Sequence, residues 1–337
     1  MLRREFGLAL ALLPLAAAAQ TRNVASRGPL FWLASRGKAR LFLLGFGDAR
    51  ADDQAWFTPA IRAAFQDSAE LWLEVAPPEV SAGRDAATKA RDDAEFDRLS
   101  HEPPGRTFFD ELEPRARARG LPYMAELGVK REAVEPLRPW WAYYTLNRAF
   151  WSHTKLPYEP ANVDQALWKL ATDQGKPVHY ENPNGLAFAR HMAAMPEKAQ
   201  SQYIEFLLDF LDDRKNGLDG APFDWEFGSS TAAMRSLTRM RTDLPDLYRS
   251  IQVERNAWWV RKIDELLSTD RTAFIGIGQL HVVGPDSIPS QLRRLNIVPA
   301  SGLRENPVIP ARRAELGDAG GALVLPRKPK RIGQRSI

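Results

Sequence analysis

Hydrophobic positions change their period along this chain, and the changes mark out two segments built alike. The run Ala39-Arg40-Leu41-Phe42-Leu43-Leu44 is almost continuously apolar and leads into Gly45-Phe46-Gly47-Asp48. Apolar residues then recur at helical spacing (Trp56, Phe57, Ala60, Ile61, Ala64, Phe65) before a second continuous run, Leu71-Trp72-Leu73-Glu74-Val75, closed by Pro77-Pro78. Short unbroken runs between turn residues read as buried strands, and the i, i+4 recurrence reads as a helix, so the order is strand, loop, helix, strand. The second segment has Ala273-Phe274-Ile275-Gly276-Ile277, then Gly278-Gln279-Leu280-His281, a short helix from Pro289 to Leu295, and Asn296-Ile297-Val298.

A strand, crossover helix and parallel strand bring both strands to the same edge of a sheet. Asp48 therefore follows a strand at the edge where Glu74 closes another, and His281 holds the equivalent place in the second segment. If both share one sheet, all three converge on a crevice outside the carboxyl ends of the strands, where open α/β sheets bind ligands. Between the segments the pattern is mostly helical, with helices expected over Asp85 to Leu99, Thr107 to Gly120 (kinked at Pro114), Pro139 to Arg148, Val163 to Thr172, Pro196 to Asp213, Ala232 to Arg241 and Gln252 to Leu267. In the last of these, Trp259, Ile263 and Leu266 form a core face. A short strand from Pro177 to Glu181 interrupts them and ends in a carboxylate, as the Glu74 strand does. The expected class is α/β (α+β): a central sheet with strand-loop-helix-strand units at both ends of the chain and a large helical insertion, about residues 80–250, between them.

The N-terminus adds a targeting expectation. Arg3 and Arg4 precede an apolar stretch from Phe6 to Ala16 and Ala17-Ala18-Ala19, the pattern of a signal peptide occupying residues 1–19. That stretch is shorter than the ~20 residues of a membrane-crossing helix, and no integral membrane span is expected after cleavage. Arg3-Arg4-Glu5-Phe6-Gly7-Leu8 also fits a twin-arginine export signal, so the destination is the periplasm or the exterior. The folded part is expected over residues 20–305 and a basic, disordered tail over 306–337. The chain has no cysteine, which excludes disulfides and thiolate chemistry. Much of its net charge of +4 sits at the two ends, in the signal segment and in Arg327-Lys328-Pro329-Lys330-Arg331. No aromatic residues alternate with those charges, so a solvated terminus is the better reading and no nucleic-acid partner is expected.

Glu74 carries the sharpest chemical signal, because a carboxylate stands inside Leu-Trp-Leu-Glu-Val where a buried strand is ordinarily apolar. Unpaired burial would cost several kcal/mol, so Glu74 needs a cation, either a metal or a side chain such as Arg255. Arg255 and Asn256 open the helix before the Ala273 strand, and so lie at the same edge. Asp48 has an ordinary alternative as a turn or helix-cap residue. One imidazole with two or three carboxylates makes an oxygen-rich donor set that suits manganese, magnesium or calcium. Such an ion would activate water for hydrolysis, with Glu181 as a spare general base. Other motifs fail. Gly45-Phe46-Gly47 and Gly276-Ile277-Gly278 lack the third glycine of a dinucleotide fingerprint, and two prolines break the helix that His101-Glu102 would need for a zinc-protease motif. His153, His179 and His191 have no partner spacing, and the aromatic groups at Trp140 to Tyr144 and Trp258-Trp259 read as helix packing.

Several short pieces, in order, resemble the TraB/GumN family, which includes the Tiki-type metalloproteases. They are Pro29-Leu30-Phe31-Trp32, Leu43-Leu44-Gly45, Leu73-Glu74-Val75, Leu137-Arg138-Pro139-Trp140, Gly175-Lys176-Pro177-Val178 with Glu181, Glu254-Arg255-Asn256, and Gly278-Gln279-Leu280-His281 with Gly284. The resemblance implies a metal-dependent, protease-like site made from two Gly-x-x-His histidines and a strand glutamate, with the Arg-Asn pair nearby. Here the first histidine is replaced by Asp48. The metal set implied for this chain is Asp48, Glu74 and His281, with manganese or cobalt ahead of zinc, and the catalytic set is Glu74, Glu181, Arg255 and Asn256. The expected activity is hydrolysis of a peptide or related amide, or of another small polar substrate. Two alternatives stay open: a non-catalytic envelope protein that binds peptide or supports polysaccharide export, and a Glu74–Arg255 ion pair that only fixes the fold. The sequence leaves the oligomeric state undetermined.

Overall fold

A computed structural model describes residues 28–301 except 48, 51–54, 82–84, 154–159, 217–223, 296 and 298–299. The signal segment, the basic tail and Asp48 thus lie outside the described residues. The strands are β1 (Phe31–Arg36), β2 (Ala39–Phe46), β3 (Ala49–Arg50), β4 (Glu70–Val75), β5 (Pro160–Ala161), β6 (Val178–Asn182), β7 (Thr272–Gly278) and β8 (Ala300–Ser301). Six of them form one sheet in the order β6-β4-β7-β2-β1-β8, while β3 and β5 pair as a separate two-residue ribbon. The β6-β4, β4-β7 and β7-β2 pairs are parallel, and β1 runs antiparallel to β2 and to the two-residue edge strand β8. The fold is therefore mixed α/β, with sheet strands from near both ends of the chain and a helical middle.

The unbroken apolar runs are strands buried on both faces, as parallel strands covered by helices must be. Leu41 and Leu43 of β2 join Ala273, Ile275 and Ile277 of β7 in one core, while Phe42 and Leu44 join Phe274 in the opposite one. Helices Pro59–Asp67 and Val163–Asp173 cover the second face through Ile61, Phe65, Ala166 and Leu167. Helices Gly185–Ala193, Thr231–Asp243, Arg255–Leu267 and Ile288–Arg294 cover the first. A third core lies wholly among helices, where Phe108, Met124, Leu146 and Leu208 meet.

Most expected elements form within a few residues of their predicted bounds, and four differences have physical causes. The helix expected over 107–120 is two helices: a Thr107–Asp110 capping box starts Phe108–Glu111, and Pro114 occupies the first turn of Pro114–Glu126. A proline lacks the N–H a helix interior needs but fits a first turn, so Pro114 starts a helix instead of kinking one. The last long helix begins with a π-helical segment, Arg249–Glu254, before Arg255–Leu267. The strand expected at 296–298 falls partly on residues outside those described, and β8 lies just beyond it, separated from β7 by β2 and β1. Finally, β1 and helix Gly185–Ala193 were not read from the pattern; β1 folds back on β2 through Gly37, whose φ of +58° suits a tight hairpin.

Candidate functional site

Because β2, β4, β6 and β7 run the same way, their carboxyl ends share one edge, and there the sequence places two acids. Glu74 is the penultimate residue of β4 and Glu181 of β6. Leu73 pairs with Tyr180 and Val75 with Asn182, so the two carboxylates stand abreast on adjacent strands and point to one face. Like charges so placed repel unless a cation joins them. Arg255 is that cation. Its Nε donates to both Glu181 oxygens at 2.8 and 2.9 Å, and its Nη2 donates to Glu181 Oε2 at 2.7 Å and Glu74 Oε2 at 3.2 Å. Trp259, one helical turn on, donates its indole N–H to Glu181 Oε2 at 3.1 Å.

His281 closes the cluster from a 3-10 turn, Gln279–His281, directly after β7. Its Nε2 lies 3.3 Å from Arg255 Nη1 and 3.8 Å from Glu74 Oε1, and its Nδ1 lies 2.6 Å from Asn256 Oδ1. The Gly278 N–H donates to Glu74 Oε1 at 2.7 Å, so the glycine before the turn also serves the glutamate. Gly45 matters in another way: a Cβ there would stand 2.2 Å from Val282 Cγ2, so the β2 backbone approaches the turn after His281 closely enough to exclude any side chain. Phe46 and Gly278 pair in register, which sets the two Gly-x-x-x stretches side by side.

Burial and charge pull these groups in different directions. Burial raises the Glu74 carboxyl, but Arg255, His281 and the Gly278 N–H outweigh it and hold the pKa below the ordinary value. For His281, burial and the Arg255 charge prevail over Glu74 and bring the imidazole down to about 4, so it is neutral near pH 7. Burial works against the Arg255 cation, but Glu74 and Glu181 more than offset it and the guanidinium stays charged. Burial also raises the phenol of Tyr144, which sits within electrostatic reach of Arg255 and Glu74 and whose hydroxyl lies 3.2 Å from that of Tyr203.

Five of the six expected site residues, Glu74, Glu181, Arg255, Asn256 and His281, thus meet in one cluster; Asp48 is outside the described residues. His179 stacks on Trp72 with ring centroids 4.7 Å apart, beside Glu70 at the opposite end of β4, and His101 binds the Asp97 carbonyl of its own helix at 2.9 Å. His191 feels Arg255 and Glu181 but is held mainly by burial, which lowers its pKa. Sequence reasoning missed the second role of Trp259, which is both core and hydrogen-bond donor. Its i+4 spacing from Arg255 was the available signal. The Gly278 N–H and the carbonyl of Asp286, which receives Asn256 Nδ2 at 2.9 Å, left no trace in side-chain pattern.

A divalent cation meets both support and competition here. Glu74 offers a carboxylate and His281 a neutral imidazole whose far nitrogen is hydrogen-bonded, which is how metal-binding histidines are usually held. Among the described residues no group of three His, Cys, Asp or Glu side chains is placed to hold an ion. Arg255 Nη1 faces the same Nε2 that an ion would use. The donors therefore fit a cation on condition that this guanidinium nitrogen gives way and a third ligand joins.

Parallel strands ending in a largely buried acid–arginine–histidine cluster define an α/β protein with a charged group at the carboxyl edge of its sheet. The chain belongs to the TraB/PrgY/gumN family, whose family profile matches residues 30–299. No curated protein and no solved structure matches it. Among the described residues, no helix is long and apolar enough to cross a membrane.

Proposed function

We propose that this chain is an exported hydrolase that cleaves a peptide or related amide in the crevice at the carboxyl edge of the sheet. One observation carries the reading: a neutral His281, its Nε2 3.8 Å from Glu74 Oε1, sits where the parallel strands end. Glu74 and His281 are the described residues that would hold a divalent cation, manganese or cobalt ahead of zinc, and Asp48 is the third ligand the proposal requires. A cation held there would polarise the substrate carbonyl and make bound water acidic enough to attack it at neutral pH. Arg255, once its Nη1 has left His281 Nε2, would supply a positive charge for the oxyanion that develops on the substrate, with Glu181 as its anchor. With Arg255 and Trp259 bonded to its oxygens, Glu181 acts as this anchor in preference to the base role its strand-end position suggested. Glu74, more exposed at its side chain (23% against 4%), is the carboxylate that can reach a substrate.

A second reading has its own observation. Arg255 already spans both acids and touches His281, so the side chains of the cluster are bonded to one another without an ion. In that reading the protein is a non-catalytic envelope component that binds peptide or supports polysaccharide export. Metal content of the protein equilibrated with manganese, cobalt and zinc, compared with His281→Ala, separates the two. Near-stoichiometric metal that disappears in the variant supports the hydrolase; no metal in either sinks it and leaves the binding protein.

A further inference from the structure

The turn after β7 and the start of helix Arg255–Leu267 are joined by a line of hydrogen bonds that meet at Asp286, which accepts from both Tyr248 and Asn256. At its outer end the Tyr248 hydroxyl donates to Asp286 Oδ2 at 2.8 Å. The backbone carbonyl of Asp286, which can only accept, receives Asn256 Nδ2 at 2.9 Å and Gln291 Nε2 at 2.8 Å. That spends the amide nitrogen of Asn256 and turns its Oδ1 toward His281 Nδ1, 2.6 Å away. An amide oxygen has no hydrogen to give, so Nδ1 must carry the ring proton. From the other side Arg255 Nη1, which can only donate, faces Nε2 at 3.3 Å, so Nε2 must carry the lone pair. Two groups of fixed polarity, a carbonyl and a guanidinium, thus impose the same tautomer from opposite ends.

The line is also rigidly mounted. Asn256 and Tyr248 are buried. The Asp286 segment begins at Gly284, whose φ of +88° favours glycine, and Ser290 Oγ ties its carbonyl at 3.1 Å. The Ser287 hydroxyl caps the next helix by accepting from the Ser290 N–H at 3.3 Å. The π-helical segment Arg249–Glu254 sits between Tyr248 and Arg255.

We propose that Asn256 is a positioning residue, held by Asp286 and Tyr248, that fixes His281 as the Nδ1–H tautomer and so presents the Nε2 lone pair to the crevice. An unconstrained histidine side chain prefers the opposite tautomer, with the proton on Nε2, which could neither bind a cation through that atom nor take a proton there. The assignment rests on His281 being the working imidazole of the function proposed above, yet the tautomer itself is readable without any activity.

The test is long-range proton–nitrogen correlation on metal-free protein carrying 15N-histidine, near neutral pH, with His281 assigned from the signals lost in His281→Gln. The wild type should show a protonated Nδ1 and an unprotonated Nε2. In Asn256→Leu, where Arg255 alone still keeps a proton off Nε2, the Nε2–H form should appear beside the Nδ1–H form, and Tyr248→Phe, which removes one hydroxyl, should show a smaller admixture of it. Manganese affinity, titrated in parallel, should fall about ten- to hundredfold in Asn256→Leu. A wild-type Nε2–H tautomer, or an Asn256→Leu spectrum unchanged from wild type, overturns the proposal. An unchanged Tyr248→Phe spectrum removes Tyr248 from it, and settles that part even if Asn256→Leu does not fold. Tautomer shifts as expected without manganese binding in any variant would uphold the positioning role and end the metal reading.

Discussion

Arg255 shows how one residue holds two acids and a histidine together. Two buried carboxylates on neighbouring strands are tolerable only with a cation between them, and the planar guanidinium meets Glu181 through two nitrogens while a third reaches His281. Arg255→Ala should therefore leave Glu181 buried without its partner and cost about 3–5 kcal/mol, seen as a lower urea midpoint at unchanged slope. Arg255→Lys should recover only part of this, because a point charge cannot reproduce the paired bonds. An Arg255→Ala midpoint equal to wild type would show that the cluster does not brace the fold.

At the level of elements, the site is made by the ends of strands and the beginnings of helices. The acids close β4 and β6, His281 follows β7, and Arg255 and Asn256 open the helix that leads back to β7. The turn that carries His281 packs against β2 so closely that Gly45 has no room for a side chain. Gly45→Ala should push Val282 away and cost about 1–3 kcal/mol, with Gly45→Ala/Val282→Ala recovering much of the loss. Thermal unfolding of wild type and the two variants checks this; equal melting temperatures for wild type and Gly45→Ala would mean the approach is looser than 2.2 Å implies. The first strand-loop-helix-strand unit, and β7 with helix Ile288–Arg294 of the second, were legible because strands buried on both faces are continuously apolar and their helices are not. Strand β1 was not: Phe31-Trp32-Leu33-Ala34 is too short a run to be told from helix by periodicity. The π-helical turn was equally hidden, since it changes hydrogen bonding and not composition.

For the molecule as a whole, the cluster makes stability depend on pH in a definite direction. His281 is held near 4 in the folded state against 6.5 for a free histidine, so folding is favoured fully above about pH 6.5 and loses stability as pH falls toward 4, by up to roughly 3 kcal/mol. His191, lowered by burial, acts in the same sense. Glu74, depressed below 4.5, adds a loss that begins at lower pH, while Glu102 and Glu205, raised by burial, oppose it there. Urea midpoints of the metal-free protein should fall between pH 7 and 5, and His281→Gln should flatten that slope; an equal slope in the variant would remove His281 as its source. The sequence by itself determined the first β-α-β unit, the strand and helix around His281, the helical middle, and the kind of residue at the strand ends, because burial on both faces and the polarity of a stray acid are written in local composition. Only the tertiary structure decided that Glu74 and Glu181 stand abreast, that Arg255 binds both, and that Asn256 fixes the histidine. Those facts depend on strand order and on backbone groups such as the Asp286 carbonyl and the Gly278 N–H, whose positions leave no mark in the pattern of side chains.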